Sequence, residues 1–450
     1  MNSDNGIDHT SILDLGLRPK PAIPSNVTRI CRALLPESRD GVPQIIYYQA
    51  GVGSSSNVRD RIVGGTTGLG LSENIREAYD FLANNYVRGD DIFLLGFSRG
   101  AFTARSIASL MATVGILTRA GMDDFYAIFQ DFERGADPHY DSPFPDVPFR
   151  NKPNINNPEY KWELRRLGLT TVDIQIKVVG VWDTVGSLGI PRLGWFDKID
   201  WPMPDREYSF DNTVVDECVE NAFQALALDE ERGPFSPSVW QKRRGSPTYL
   251  KQVWFPGVHS NVGGGYEDAE IANITLAWMI SLLEPFLDFN NSYFVRQINL
   301  NREYYIDQGE KVRPWSFGEI YDSMTGIYNL TKAEPRTPGE YSIAGRKPDH
   351  AVYVTNEYIH ASVRARIGLK GPGIEDKGAY NPPSLRGWHN VIRRVEVDGE
   401  LQREVLWEQS GGHHDRTGVV LPEDTLGPLE IELLSASPDV RDRIVGAGRH

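Results

Sequence analysis

Three residues in this chain have the types that acyl transfer needs: Ser98 in Gly96-Phe97-Ser98-Arg99-Gly100, Asp183 in Gly180-Val181-Trp182-Asp183-Thr184-Val185-Gly186, and His259 in Gly257-Val258-His259-Ser260-Asn261-Val262-Gly263-Gly264-Gly265-Tyr266. A serine hydroxyl is a poor nucleophile near neutral pH. It needs a base within hydrogen-bond reach, and the base needs a carboxylate that fixes its tautomer and stabilises its cation. Together the three would move an acyl group from a carboxylic ester onto the serine and then to water. The five-residue serine pattern is weak alone, because glycine and serine are common. Its flanks strengthen it. Ile92-Phe93-Leu94-Leu95 predicts a strand buried on both faces, and Gly100 to Met111 predicts a helix. A serine on such a tight strand-to-helix turn is strained, projects its hydroxyl above the sheet edge, and needs small neighbours. The helix N-terminus favours a developing oxyanion there, with the backbone N–H of Arg99 as the expected donor.

The elements that must position the other two are also strands. Ile174 to Val181 reads as a strand with Asp183 two residues past its end, and Tyr249 to Phe255 as the next, with His259 four past its end. In an open parallel sheet the C-terminal strand ends gather at one edge, where Ser98 also sits. The chain order Ser, Asp, His is the one an α/β-hydrolase uses. Among competing acids, Asp173 precedes its strand and faces the wrong edge, while Asp229 and Glu230 follow a predicted amphipathic helix, Glu217 to Leu228. His360 is the alternative base, and His413-His414 lies in a polar, glycine-rich loop. The bland readings are a capping serine, a turn aspartate and a satisfied core histidine; the shared sheet edge favours the triad over them.

Elsewhere, Ser25 is an N-cap candidate for a helix over Asn26 to Leu35, and Ile45-Ile46-Tyr47-Tyr48 predicts a strand. Gly51-Val52-Gly53 after it invites a dinucleotide-binding reading, but Ser56 holds the third glycine position and no helix follows at once. Gly64 to Gly70 reads as a flexible loop before a helix that begins at Ser72 and runs to Tyr86. Residues 120–172 read as an irregular insertion placed to serve as a lid, and Ala269 to Leu283 as a core helix. The expected division is an irregular segment over 1–24, a catalytic α/β domain over 25–290 and a mixed C-terminal subdomain over 291–450.

Composition bounds the partners. With 61 acidic against 47 basic residues and a net charge of -14, the chain lacks the clustered cations that nucleic acid requires. Cys31 and Cys218 are too few for a disulfide framework, and the N-terminus lacks the basic and apolar regions of a signal peptide, so the expected location is cytoplasmic. No H-x-x-x-H or H-E-x-x-H spacing occurs, so neither a metal nor another cofactor is expected. The partner is a small-molecule or lipid ester, with no obligate protein partner evident. Trp195-Phe196-Asp197-Lys198-Ile199-Asp200-Trp201 is the stretch suited to transient contact with a membrane surface.

The serine, aspartate and histidine motifs, with Ala225-Leu226-Ala227-Leu228-Asp229-Glu230, resemble the α/β-hydrolase family that includes the catalytic domain of type VI secretion phospholipase effectors, over roughly residues 25 to 370. The resemblance implies a mostly parallel sheet flanked by helices, phospholipase or carboxylester hydrolysis, and a triad on Ser98, Asp183 and His259. It also implies an opening strand that ends in an Asp-Gly-Thr turn. Met1-Asn2-Ser3-Asp4-Asn5-Gly6 resembles the segment after that turn, so the expectation is a sheet lacking that first strand and one oxyanion donor. Gln224 stands where relatives are expected to carry histidine. The alternative function is a catalytically impaired hydrolase-fold binding or scaffold protein.

Overall fold

Apolar runs long enough to be buried on both faces build the centre of the molecule. A computed structural model describes residues 23–50, 69–185, 213–341, 352–397, 400–410 and 419–444. Its central sheet comprises β1 (Phe93–Phe97), β2 (Ile176–Trp182), β3 (Val219–Ala227), β4 (Tyr249–Phe255) and β5 (Glu357–Ile359), in that spatial order. Every pairing is parallel, with Leu95 opposite Gly180, Gly180 opposite Phe223, Phe223 opposite Lys251 and Val253 opposite Tyr358. The ladder continues past the strand ends. Ser98 N–H donates to the Trp182 carbonyl (3.1 Å), Asp183 N–H to Ala225 (2.7 Å) and Leu228 N–H to Phe255 (3.0 Å).

Helices cover both faces, which makes this an α/β-hydrolase-like arrangement. On one face α2 (Leu69–Asn85), α3 (Arg99–Val114), α4 (Phe125–Arg134) and α5 (Pro158–Arg166) bring Ile75, Tyr79, Leu110, Phe129 and Leu164 against Val179, Val181 and Ala222. On the other, α1 (Asn26–Ala33) and α7 (Glu270–Leu283) bring Ile30, Trp278, Met279 and Leu283 against Val178, Trp182, Phe223 and Val253. Gly180 is glycine for this packing: a Cβ would meet the Met279 sulfur at 2.9 Å and Leu95 Cδ2 at 2.8 Å. Between β4 and α7 lies a single turn, α6 (His259–Gly263).

Four expectations change. The helix expected over Glu217 to Leu228 is strand β3, in the middle of the sheet. A strand covered on both faces loses the alternation that marks it, and the spacing of Val219, Ala222, Phe223 and Leu226 also fits a helix. The expected strand Ile45–Tyr48 forms no ladder among the described residues; Ile45 is 76% exposed, and Tyr47 stacks on Phe81 at 5.1 Å. Residues 120–172 are only partly irregular: 135–157 carry no helix or strand, but α4 and α5 on either side pack with Ile174, Ile176 and Val219 at the strand starts, the end of the sheet away from Asp183 and His259. Strand β1 is half-buried rather than fully buried, since among the described residues it pairs only with β2 and forms the sheet edge. The Trp195–Trp201 stretch, His413-His414, Gly51-Val52-Gly53 and most of the Gly64–Gly70 loop lie outside the described residues. Among the described residues no helix is long and apolar enough to cross a membrane.

The C-terminal third is bonded into the sheet. After β5 come α9 (Ala361–Gly368; α8 is Asn291–Asp307) and an antiparallel sheet of β6 (Trp388–Val397), β7 (Glu400–Gln409) and β8 (Val420–Pro422), then α10 (Pro428–Ser435) and α11 (Pro438–Ile444). Asp424, just past β8, accepts Trp278 Nε1–H (2.9 Å), pairs with Lys251 of β4 (2.5 Å) and donates its N–H to Ile359 (2.9 Å). Lys251 and Asp424 are 8% and 5% exposed, and removing one partner of so buried a pair leaves an uncompensated charge. Asp424→Ala is expected to cost about 3–5 kcal/mol in urea unfolding, and Lys251→Met with Asp424→Leu to recover most of it.

Candidate active site

Ser98 sits between β1 and α3 with φ 58° and ψ −122°, a strained backbone that holds its side chain off the strand end. Gly96 is required for this turn, because a Cβ there would run into the Gly100 carbonyl. Gly100 is not, since a Cβ there would meet nothing within 4 Å. The first turn of α3 leaves donors over: Ala101 and Phe102 N–H both bond the Ser98 carbonyl, while those of Arg99 and Gly100 have no backbone acceptor among the described residues. Both residues are exposed beside the hydroxyl, which is where an oxyanion would need them.

Asp183 follows β2 directly, also at positive φ (42°), and has no exposed surface. Its carboxylate lies 2.6 Å from His259 Nδ1 and accepts the Ala227 N–H at 3.0 Å. Arg336 completes its shell with a fork, Nη1 to Oδ1 (2.5 Å) and Nη2 to Oδ2 (2.9 Å), and donates further to the carbonyls of Ala227 (2.7 Å) and Phe235 (2.8 Å). Burial would raise this carboxyl, but the Arg336 charge and the hydrogen bonds from His259 and Arg336 outweigh it and hold it well below the usual carboxylate range. Gln224, deep in β3, supports the same turn by accepting the Thr184 hydroxyl (2.8 Å) and donating to the Ser238 carbonyl (3.1 Å).

His259 opens α6. With Nδ1 facing a carboxylate, the proton belongs on Nδ1, and Nε2 is left as the basic nitrogen. The ring lies between Phe97 (centroids 4.6 Å apart) and Phe235 (5.0 Å, nearly perpendicular), and its backbone N–H points to Glu230 at 3.3 Å. The approach depends on local bonds: Asp229 accepts the N–H of Gly257, which has φ 102°, and the Asn261 side chain accepts that of Val258. No hydrogen bond joins Ser98 Oγ to His259 among the described residues; such contacts often tighten only when substrate binds.

The competing residues go elsewhere. Asp173 is exposed beside Arg165, Asp229 is buried against the Gly257 N–H and the Tyr380 hydroxyl with its carboxyl pushed up to about 6 by burial, and Glu230 is forked by Arg232. His360 bonds Ser362 (2.7 Å) and Glu430 (2.8 Å), a Ser-His-Glu chain by composition, but both histidine and serine are fully buried and serve the N-terminus of α9. Sequence reasoning missed Arg336 and Phe235. Arg336 stands in Glu334-Pro335-Arg336-Thr337-Pro338, a turn-rich stretch with no periodicity to mark a buried cation.

Residues 13–282 match the family described as T6SS, phospholipase effector Tle1-like, catalytic domain. An uncharacterized protein of Saccharomyces cerevisiae is 28% identical over 247 residues, which cover 51% of this chain and 32% of that protein. Among solved structures, that of the Tle1 effector bound to the VgrG spike of the type 6 secretion system is similar at 19% identity and a TM-score of 0.27, covering 54% of this chain and 40% of the other. An uncharacterized protein from Pseudomonas aeruginosa matches at 19% identity and a TM-score of 0.25, over 51% of this chain and 28% of its own. The chain therefore spans about a third of the length of the yeast relative.

The unequal roles of the two motif glycines can be measured. Gly96→Ala is expected to lower stability by about 2 kcal/mol or more in chemical denaturation, because backbone must move. Gly100→Ala, on an open helical position, is expected to leave the midpoint unchanged or slightly raised.

Proposed function

We propose, for a chain that belongs to the family of T6SS phospholipase effector Tle1-like catalytic domains, serine-dependent hydrolysis of carboxylic esters, with lipid esters as the substrate class. The observation that carries this reading is the buried bond of 2.6 Å between Asp183 and His259, formed by residues that leave adjoining regions of one sheet edge, the edge at which Ser98 is held in a strained turn. His259 Nε2 takes the hydroxyl proton as Ser98 Oγ bonds to the carbonyl carbon. The Arg99 N–H, with that of Gly100 beside it, stabilises the resulting oxyanion. The tetrahedral intermediate collapses, the alcohol leaves with the proton from His259, and water repeats the sequence to free the acid. Asp183 stays ionised throughout and fixes the imidazole.

Phe235, Tyr328 and Val185 form a small buried apolar cluster, with Phe235 against the imidazole. An apolar wall beside the base suits an acyl chain better than a polar leaving group. The second reading, a hydrolase-fold binding module with an unassembled nucleophile, is motivated by β1, which among the described residues pairs only with β2.

Labelling with a fluorophosphonate, read by intact mass, separates the two. One adduct that Ser98→Ala abolishes, with fatty acid released from phosphatidylcholine vesicles, supports the hydrolase. No adduct on folded protein leaves the binding module. Asp183→Asn is expected to slow labelling by about 10³–10⁴, since the imidazole would then favour the wrong tautomer.

A further inference from the structure

We propose that Arg336 is a positioning residue of this site: it clamps both oxygens of Asp183 and cancels their charge, so that His259 is oriented by the carboxylate without being locked into its protonated form. The inference rests on the reading of Ser98 as a nucleophile activated by His259.

Two carboxylates face His259, and each has its own arginine. Asp183, from the turn after β2, is forked by Arg336; Glu230, from the turn after β3, is forked by Arg232 through Nε and Nη2, both at 2.8 Å. The other neighbours of the ring are the uncharged Phe97 and Phe235, with Tyr328 packed behind Phe235 and Tyr341 and Asp229 farther along the Arg336 side. An uncancelled anion at the ring Nδ1, with a second at the main-chain N–H, would hold the second proton tightly and remove the free base on which acylation depends. With both anions paired, the ring meets the Asp183–Arg336 pair at Nδ1, and the Glu230–Arg232 pair lies at the main-chain N–H of the same residue, in place of two net charges.

The clamp is also rigid. Arg336 is 3% exposed and commits its two Nη groups to two carboxylate oxygens and two main-chain carbonyls, at Ala227, the last residue of β3, and Phe235 beyond it, while its buried Nε has no hydrogen-bond partner among the described residues. Ala227 in turn donates its N–H to Asp183 Oδ1. Such a planar fork with fixed partners holds a carboxylate in one rotamer, which a lysine cannot do. Arg336 lies beyond residues 13–282, so the C-terminal third supplies a part of the site that the matched segment does not contain.

The test uses the full chain with Arg336→Met, which removes the charge, and Arg336→Lys, which keeps it but loses the fork. Two readouts are taken: titration of the His259 ring by NMR, assigned with His259→Gln, and the pH dependence of fluorophosphonate labelling. Arg336→Met is expected to raise the pH at which His259 is half protonated by about one unit, a tenfold change in proton affinity. The acid limb of the labelling rate should move with it. Arg336→Lys should keep the midpoint, lose the downfield Nδ1 proton resonance of the Asp183 bond, and lower the plateau labelling rate tenfold or more. A merely structural arginine would lower the folded fraction and leave the midpoint where it was; an unmoved midpoint in folded Arg336→Met overturns the proposal. Should that variant fail to fold, Arg336→Lys with its Nδ1 resonance intact overturns it equally. Because the NMR readouts need no turnover, Arg336 variants that change the His259 resonances as expected, in a chain that takes no adduct, would retire the Ser98 reading and leave the role of Arg336 toward His259 standing.

Discussion

The cost of hiding a carboxylate from water governs the centre of this molecule. Asp183 has no exposed surface, and an isolated anion there would take up a proton or unfold its surroundings. What keeps it ionised is a shell drawn from distant places in the chain: the imidazole of His259, the Ala227 N–H, and two donors of Arg336. Each of these must arrive before the charge is tolerable. The geometry of the Asp183–His259 pair and the folding of this region are therefore one problem, because whatever satisfies the anion also fixes the imidazole.

The parallel sheet solves most of that problem with backbone alone. Ser98, Asp183 and Leu228 each bond a neighbouring strand one residue past the ladder, so three loops leave from fixed heights at one edge. The side chains then need only short excursions. Positive φ at Ser98 and Asp183 turns the chain away from the strand at the two places where a side chain must face the site. By contrast His259 is reached through flexible positions, Gly257 before it and Gly264 beyond, and its placement depends on side-chain pins from Asp229 and Asn261.

The strand ends are legible in the sequence because β2 and β4 close on apolar runs, Val178 to Trp182 and Val253 to Phe255, that stop abruptly at polar or glycine-bearing turns. Asp183 and His259 are read directly from those stops, and Ser98 from its own motif at the end of β1. Strand β3 is not legible: Val219 to Ala227 is alanine-bearing and buried over most of its length on both faces, with Val219, Ala222, Phe223 and Leu226 at helical spacing, so its local pattern suits a helix, and only insertion between β2 and β4 decides the matter. Ile45–Tyr48 errs the other way. Its composition is that of a strand, but a strand needs a partner, and no local pattern reports whether one is within reach. Arg336 is the harder case, since a buried cation paired across 153 residues leaves no trace in spacing or composition.

That distance bears on how the chain is divided. The family match ends at residue 282, inside α7, and sequence alone would set the remainder apart. Physically the remainder is not separable from the site. It supplies β5 to the central sheet, the anion that neutralises Lys251 on β4, the indole partner of Trp278 on α7, and the guanidinium that neutralises Asp183. Two of these are charges whose partners are buried in the first part, so removing the second part would leave Lys251 and Asp183 unpaired in an apolar interior. Buried ion pairs contribute little net stability against apolar replacements, but they penalise separation severely. In this chain they make the C-terminal third a condition for the integrity of the site, whatever further sequence the longer relatives carry.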